Sequence, residues 1–278
     1  MNGFLLVDKK SGISSSQVVQ KVKEKLSLDK VGHLGTLDLE AEGLLVLAIN
    51  RATKFSNYFL SADKSYYVEI RFGIVTESDD ASGKIIKKSE FNLSQNEVKK
   101  EVQSFLGVSM QKPPFYSALK YKGKPLYKYA RKGEFIKKDA RKIEVKRISK
   151  ISLTKDICSF EIKCSKGTYI RSIARDLGEK IGCGAHMKYL KRLSQEKFLL
   201  NEACPIDQLT KNKIIKIEDA FSDYKKISLD QNQVKVFING GKIQLKKLPS
   251  IYKIFNEKDE FIGLGELVQN DLKHKQLV

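Results

Sequence analysis

The order of apolar segments along the chain constrains its fold more than any other feature. Four short runs rich in Val, Ile, Leu and aromatic residues read as strands: residues 3–8, 44–49, 66–73 and 157–164. Helical periodicity, with apolar residues three and four apart, occurs between only some of these runs. Strands and helices are therefore mixed without a regular βαβ rhythm, which predicts an α+β fold with a mixed sheet.

Three segments carry helix signals. Ser14 with Gln17, and Ser94 with Glu97, have the spacing of capping boxes. A third helix is predicted from Ile170 to the Gly182 stop signal. The helix that follows Ser94 is predicted to end at Gly107 and to bury four side chains, those of Val98, Val102, Phe105 and Leu106.

The pattern changes after about Thr210. Short alternating segments are separated there by Asn-Gly, Gly-Gly and polar turns, which is typical of hairpins. We therefore predict a small all-β unit at the C-terminal end of the chain.

The charge balance points to a polyanionic ligand. Lys and Arg number 52 against 33 Asp and Glu, a formal net charge of +19. Residues 112–150 hold 14 basic and 3 acidic residues, a net +11, whereas residues 207–278 hold 13 lysines and 10 acids, only +3. A general lysine bias is the competing interpretation, but it does not explain this concentration. Nucleic acid is the polyanion that we expect.

Other global features indicate an intracellular protein. The four cysteines form no CxxC pair and lack spaced His partners, so we expect free thiols and no structural zinc. Cys158 and Cys164 are six residues apart in an alternating segment, which places them on one face of a strand. No apolar run is long enough to span a membrane, and residues 1–12 lack signal-peptide features. We expect a cytoplasmic protein.

Residues 31–45, VGHLGTLDLEAEGLL, are the strongest candidate for a reactive loop. They place His33 and Asp38 among three glycines, just before a buried strand. A loop anchored on a rigid element is a common location for active groups. An ordinary Gly-rich turn with solvated polar residues is the alternative interpretation.

Two further segments combine with this loop. Residues 111–133 interleave five aromatic side chains with lysines, which suits stacking on bases and neutralisation of phosphates. A partly buried amphipathic hairpin would explain the same pattern, and both can hold at once. Residues 164–193 place Tyr169 and Arg171 at a helix start beside a glycine loop.

These segments together resemble the TruB family of pseudouridine synthases over nearly the whole chain. VGHLGTLDLEAEGLL resembles the family's catalytic motif, usually GHTGTLDPLATGLL. FLLVDKKSGISSSQVVQKVK resembles the opening motif, and CSKGTYIRSIARDLGEKIGCGAHMKYLKRL the last catalytic block. The resemblance implies a pseudouridine-synthase fold with a mixed, mainly antiparallel central sheet flanked by helices, and a small C-terminal PUA-like β-barrel. It implies a catalytic domain over residues 1–215 and a short RNA-binding domain over 225–278.

The resemblance also implies an activity: isomerisation of uridine to pseudouridine at position 55 in the T-arm loop of tRNA. The target base would be flipped out of its stack, and the glycosidic bond would be broken and remade at C5. Asp38 matches the catalytic aspartate, with Arg171 as its expected partner. Tyr66 matches the tyrosine expected to stack on the uracil.

Three more residues match substrate-binding positions. His33 matches the residue that fills the space left by the flipped base, and Tyr169 and Leu190 match the lining of the uridine pocket. We also predict RNA contacts for six lysines: Lys9, Lys64, Lys120, Lys122, Lys124 and Lys128. The implied partner is the T-arm stem-loop of tRNA, bound by a monomer with no guide RNA, no membrane, no cofactor and no metal.

The catalytic loop departs from the usual family pattern at four positions, namely Leu34, Leu39, Glu40 and Glu42. The two glutamates put negative charge near the expected site, but the GH, GTLD and GLL elements remain, so we expect an active enzyme. Two alternatives stay open. One is a guide-RNA-dependent synthase, whose C-terminal domain is usually larger; the other is a non-catalytic RNA-binding or RNA-folding factor, for which Asp38 would be dispensable.

Overall fold

A central mixed sheet organises the computed structural model, which describes all residues from Met1 to Val278. The strands of the chain are β1 Gly3–Lys9, β2 Val31–His33, β3 Glu42–Ile49, β4 Lys64–Phe72, β5 Ile74–Thr76, β6 Ile85–Lys88, β7 Gly107–Gln111, β8 Lys120–Tyr121, β9 Lys124–Pro125, β10 Arg141–Thr154, β11 Ile157–Cys164, β12 Ala185–Gln195, β13 Phe198–Leu199, β14 Lys226–Leu229, β15 Ile243–Gln244, β16 Ser250–Asn256, β17 Phe261–Val268 and β18 Asp271–Leu277. The helices are α1 Ser15–Leu26, α2 Ser56–Leu60, α3 Gln95–Gln103, α4 Leu126–Ala130, α5 Ile170–Ile181 and α6 Gln231–Ile238.

The central sheet has the order β1-β3-β12-β4-β11-β10-β7, with β2 beside β3 and β13 beside β12. Every pair along this path is antiparallel except β12 with β3, which is parallel. The predicted mixed, mainly antiparallel sheet is thus confirmed. Strand β12, formed late in the chain, lies between two strands formed early.

Strand β3 shows why this sheet reads as a continuous apolar run. Leu45, Leu47 and Ile49 belong to the core formed with α1, α3 and α5, whereas Leu44 and Val46 belong to a second core on the opposite face. Because both faces of β3 are covered, its side chains are apolar at every position from Leu44 to Ile49 and the usual alternation is lost.

The N-terminal helices follow the capping signals. Ser14 and Ser94 each accept from the backbone N–H three residues later, and the Gln17 and Glu97 side chains complete both capping boxes. The helix that follows Ser94 is shorter than predicted, because it ends at Gln103. Leu106, predicted to be buried, lies beyond that end and is 48% exposed.

A five-stranded sheet, β14-β16-β17-β18-β15, forms the curled half-barrel at the C-terminal end. The prediction of an all-β unit is wrong in one respect, because residues 231–238 form helix α6. Asp230 caps that helix, accepting from the Gln233 N–H while the Gln233 side chain returns to the Asp230 N–H. The local capping box outweighs the alternating pattern that suggested a strand.

The half-barrel and the central sheet share an apolar cluster. Leu264 of β17 is fully buried in the core on the second face of the central sheet. The rings of Phe55 and Phe261 are 6.3 Å apart, and those of Phe55 and Phe221 are 5.8 Å apart. None of the helices combines the length and the apolar composition needed to cross a bilayer.

Candidate active site

Asp38 lies on the loop that joins β2 to β3, and side chains from outside the loop bind its backbone. The carbonyl groups of five loop residues each accept from a buried side chain: Leu34 from Gln195 at 2.6 Å, Gly35 and Thr36 from Arg192 at 3.1 and 2.8 Å, Leu37 from Ser15 at 3.0 Å and Leu39 from Lys9 at 3.0 Å. The Asp38 carbonyl accepts from the Ala41 N–H at 3.2 Å. The six carbonyl groups from Leu34 to Leu39 are therefore all bound within the protein, which restrains this part of the loop.

Gly43 permits the close approach of β3 to β12 behind this loop. Its φ is +94°, and a Cβ there would lie 2.4 Å from the Arg192 carbonyl oxygen. A side chain at this position would push β12 away and move Arg192 off the loop carbonyls.

Asp38 and Arg171 form the ion pair predicted from the sequence. Arg171 Nη2 donates to Asp38 Oδ1 at 3.0 Å, and Nε lies 2.9 Å from Oδ2 without the alignment of a hydrogen bond. The Arg171 side chain is 6% exposed and that of Asp38 is 39% exposed. A buried cation thus orients a carboxylate that faces solvent, an arrangement suited to attack on, or proton abstraction from, a bound substrate.

A second carboxylate and a backbone carbonyl also contact the Arg171 guanidinium. Its Nη1 lies 3.6 Å from Asp80 Oδ2 and donates to the Ser78 carbonyl at 3.4 Å. Next to it, Arg175 Nη1 donates to Asp79 Oδ2 at 3.2 Å. Burial raises the pKa of the Asp79 carboxyl from 3.8 to about 6, and the Arg175 charge opposes that rise.

Tyr66 lies next to Arg192, the side chain that binds the carbonyls of the Asp38 loop. It is 8% exposed, and the Arg192 guanidinium is 5.6 Å from its ring centroid. Burial raises the pKa of the Tyr66 hydroxyl, and the Arg192 charge acts in the opposite sense. Tyr66 therefore keeps its proton at neutral pH and can donate a hydrogen bond.

The three predicted substrate-binding residues lie on separate elements. His33 ends β2; the residue is half-buried, and its buried Nδ1 has no hydrogen-bond partner in the protein. Burial, followed by the nearby Arg192 charge, lowers the pKa of His33, so its ring is neutral at pH 7. Leu190 is buried in β12 opposite Val68, and Tyr169 immediately precedes α5.

Two predicted RNA contacts are corrected by the structure. Lys9 has no exposed surface, and its ammonium donates to three carbonyl oxygens, those of Lys10, Ile13 and Leu39. Lys64 is 8% exposed and donates to the carbonyls of Leu60 and Ala62. Burial lowers the pKa of both to about 8. Both side chains hold the backbone and are turned away from any phosphate.

The other four predicted lysines are exposed on a small basic hairpin. Lys120, Lys122, Lys124 and Lys128 lie on or next to β8, β9 and α4. The aromatic side chains among them are half-buried, and the rings of Tyr121 and Tyr129 are 5.8 Å apart. The packed aromatic groups fit the amphipathic-hairpin interpretation, and the exposed lysines stay predicted RNA contacts.

The unusual loop residues have local partners. Leu34 is 1% exposed in the second core, so an apolar side chain suits that position. Glu40 accepts from the Ser11 hydroxyl at 2.6 Å, and Glu42 accepts from the Tyr189 hydroxyl at 2.7 Å. Leu39 is 50% exposed beside Asp38. No three His, Cys, Asp or Glu side chains converge as metal ligands.

Sequence reasoning missed Arg192 and Gln195, which hold the loop, and Asp80, which faces Arg171. Their signal was weak, because Asp80 stands in the polar run TESDDASG, and Arg192 and Gln195 stand among other polar residues, where such side chains usually face solvent. For Arg192 and Gln195 the available clue was their spacing of three in a segment where Leu190 was already placed in the pocket.

Comparison with known proteins agrees with this architecture. The family described as "TruB family pseudouridylate synthase (N terminal domain)" matches residues 23–170, and the "tRNA pseudouridylate synthase B C-terminal domain" matches residues 171–230. A protein of Clostridium kluyveri named tRNA pseudouridine synthase B is 38% identical over 275 residues, 95% of each chain. A protein of the same name from Cronobacter sakazakii is 37% identical, over 96% of this chain and 91% of that protein.

The fold also matches a solved structure. An H/ACA ribonucleoprotein bound to a substrate RNA containing 2′-deoxyuridine superimposes with a TM-score of 0.72 at 20% identity, over 99% of this chain and 84% of that one. The family matches and the curated relatives place the chain in the class of pseudouridine synthases. Within that class, the sequence matches show that the chain belongs to the TruB family.

Proposed function

We propose that this protein converts uridine to pseudouridine at position 55 in the T-arm loop of tRNA, with Asp38 as the catalytic residue. The observation that carries the proposal is the ion pair between half-exposed Asp38, on a loop whose carbonyls from Leu34 to Leu39 are all bound, and buried Arg171 of α5. The curated relatives named tRNA pseudouridine synthase B support the choice of tRNA.

The chemistry follows from the positions of these side chains. The C1′–N1 bond of the target uridine breaks, the uracil turns, and a C5–C1′ bond forms with loss of the C5 proton, while N1 gains a proton. Asp38 either attacks C1′ or takes a proton from the ribose, and Arg171 keeps the carboxylate oriented in both routes. Tyr66 contacts the base, and Tyr169 and Leu190 line its pocket.

The base is reached by flipping it out of the folded T-loop, which costs a few kcal/mol. His33 occupies the space that the base leaves, and its neutral ring suits stacking between bases. The exposed lysines of the basic hairpin bind the phosphates around this site. We assign catalysis to residues 1–215 and additional RNA contact to residues 225–278, in a cytoplasmic monomer that needs no guide RNA.

An unmodified tRNA transcript and purified protein test this proposal without any other macromolecule. Carbodiimide labelling with primer extension should detect pseudouridine at position 55, and a transcript with cytidine at that position should remain unlabelled. Labelling at another uridine would show that the proposed position is wrong, although the proposed reaction would still hold. Labelling that requires an added guide RNA would overturn guide independence, and RNA binding without any pseudouridine would favour a non-catalytic factor.

A further inference from the structure

We propose that Gln111 and Arg141 are positioning residues that fix Tyr169 and link it to the basic segment 112–140. The inference rests on the proposed function, in which Tyr169 lines the uridine pocket. It adds a route by which RNA bound on the lysines acts on that pocket.

The basic segment leaves and rejoins the central sheet at one point. Gln111 ends β7 and Arg141 begins β10, and the two residues face each other in the antiparallel β7–β10 pair. Residues 112–140 therefore form an excursion whose two ends are side by side. The exposed Lys120, Lys122, Lys124 and Lys128 all lie within it.

Gln111 binds the backbone of Tyr169 with both ends of its amide. Its Nε2 donates to the Tyr169 carbonyl at 3.1 Å, and its Oε1 accepts from the Tyr169 N–H at 2.9 Å. Gln111 is 2% exposed, so these bonds are shielded from water. A primary amide supplies the donor and the acceptor on two separate atoms of one planar group, without a charge.

Arg141 contacts the side chain of Tyr169, whereas Gln111 contacts its backbone. Its guanidinium carbon is 4.5 Å from the Tyr169 ring centroid, and its Nη2 donates to the Gly167 carbonyl. A planar guanidinium can stack on the ring and reach that carbonyl together, whereas an ammonium group cannot stack in this way.

The next residue of the excursion is anchored to the helix that carries Arg171. The Lys112 carbonyl accepts from the Ser172 hydroxyl and from Arg175 Nη2, each at 3.0 Å. RNA bound on the basic segment is therefore linked to Tyr169 through Gln111 and Arg141, and to the first turn of α5 through the Lys112 carbonyl.

Single-turnover kinetics with saturating enzyme test the first half of the proposal. Gln111→Ala and Arg141→Met should slow conversion by about tenfold to a hundredfold, because a misplaced pocket residue costs rate, while the Kd for tRNA changes by less than about twofold. Ser109→Ala and Lys142→Met, at exposed positions on the same two strands, are the matched controls. Arg141→Lys keeps the charge and should remain slow.

A double-substitution cycle identifies the residue through which Gln111 and Arg141 act on the rate. In a Tyr169→Ala background, Gln111→Ala and Arg141→Met should cause no further loss of rate. Losses that simply multiply would overturn the proposal. So would losses confined to Kd, or recovery of the rate in Arg141→Lys, because both indicate a plain phosphate contact.

A measurement independent of catalysis separates this proposal from the proposed function. Hydrogen exchange at the Tyr169 amide should be faster in Gln111→Ala than in wild type or Ser109→Ala, because its acceptor is removed. Binding of a T-arm stem-loop should slow that exchange in wild type. If neither the substitution nor the RNA changes this exchange, Gln111 does not position Tyr169. This conclusion would hold whether or not the wild-type protein makes pseudouridine.

Discussion

A reactive carboxylate must be both accessible and fixed in orientation, and here Asp38 meets the first requirement while Arg171 meets the second. The carboxylate remains accessible, and the guanidinium that orients it is buried and held by Asp80 and the Ser78 carbonyl. The orientation of Asp38 is thus set from within the protein, before any substrate arrives.

Asp38→Asn is expected to abolish pseudouridine formation and leave the Kd for tRNA within about twofold of wild type. The amide has the size of the carboxylate but neither its charge nor its nucleophilicity, and Arg171 keeps Asp80 as a neighbour. Tritium release from tRNA labelled at C5 of uridine provides the measurement. Turnover by the variant, with wild-type contamination excluded by mass spectrometry, would contradict the assigned role.

Arg171→Lys is expected to lower the single-turnover rate by about a hundredfold or more, because a single ammonium nitrogen cannot contact both Asp38 oxygens from two positions as Nη2 and Nε do. Its matched control is Arg51→Lys, an exposed arginine at the far end of β3 from the Asp38 loop. A near-normal rate in Arg171→Lys would show that charge alone is sufficient.

At this scale the sequence predicted the Asp38–Arg171 pair, which the structure contains. It misassigned Lys9 and Lys64, because a lysine near a motif suggests a phosphate contact and its burial is not visible in the sequence. Capture of an ammonium by three carbonyls depends on the conformation of a loop thirty residues away, to which Leu39 belongs.

Among the elements, the loop that carries Asp38 depends on strand β12 for its conformation. Arg192 and Gln195 supply bonds to three consecutive carbonyls, those of Leu34, Gly35 and Thr36. Sequence reasoning found β1, β3, β4 and β11 from their apolar runs but assigned no strand to β12. Its buried polar residues interrupt the alternation that would have indicated one.

The basic hairpin should govern the salt dependence of tRNA binding. Replacing Lys120 and Lys128 by Glu is expected to flatten the slope of log K against log salt, because fewer counterions are released. The pair Lys99 and Lys100, exposed on α3, gives the control variant. Filter binding at several salt concentrations measures the slope, and an unchanged slope would place the RNA on another surface.

The segment between β5 and β6 should make stability depend on pH through Asp79. The pKa of Asp79 is about 6 in the folded state, against 3.8 ordinarily. Between these two pH values the folded protein therefore holds a proton that the unfolded chain has lost. Its contribution to stability is therefore present below pH 4 and is lost as pH rises through about 6. Asp79→Asn removes this titration.

We therefore expect the wild-type Tm, relative to that of Asp79→Asn, to fall between pH 4.5 and pH 7. Circular dichroism melts at intermediate pH values measure the difference. Asp223→Asn, at a position 85% exposed, is the control. A difference that stays constant or grows with pH would contradict the assignment to Asp79.

For the whole molecule, the shared apolar cluster joins the two parts of the chain into one unit. Leu264 of the half-barrel is packed with residues of β1, β3 and α2. The sequence predicted a catalytic domain over residues 1–215 and an RNA-binding domain over 225–278, but it did not predict that aromatic residues from both parts would meet. Such contacts arise from tertiary packing and leave no local periodicity.

Leu264→Ala is expected to lower the free energy of unfolding by about 2–5 kcal/mol and to shift one cooperative calorimetric transition of the full chain. Leu248→Ala, at a position 73% exposed in the same part of the chain, should leave that transition in place. Two separate transitions, with only the smaller one moved by Leu264→Ala, would show that the half-barrel folds independently.

The position of β12 has a consequence for biosynthesis. Residues 185–195 insert between β3 and β4, so these two strands, made far earlier, have no shared neighbour until the ribosome has released more than half of the chain. Two half-sheets with open inner edges are the nascent species, and open edges invite pairing with other chains. Assembly of the catalytic loop awaits the same strand, since Arg192 and Gln195 arrive with it. A nascent chain stalled before residue 185 would thus be both inactive and prone to association.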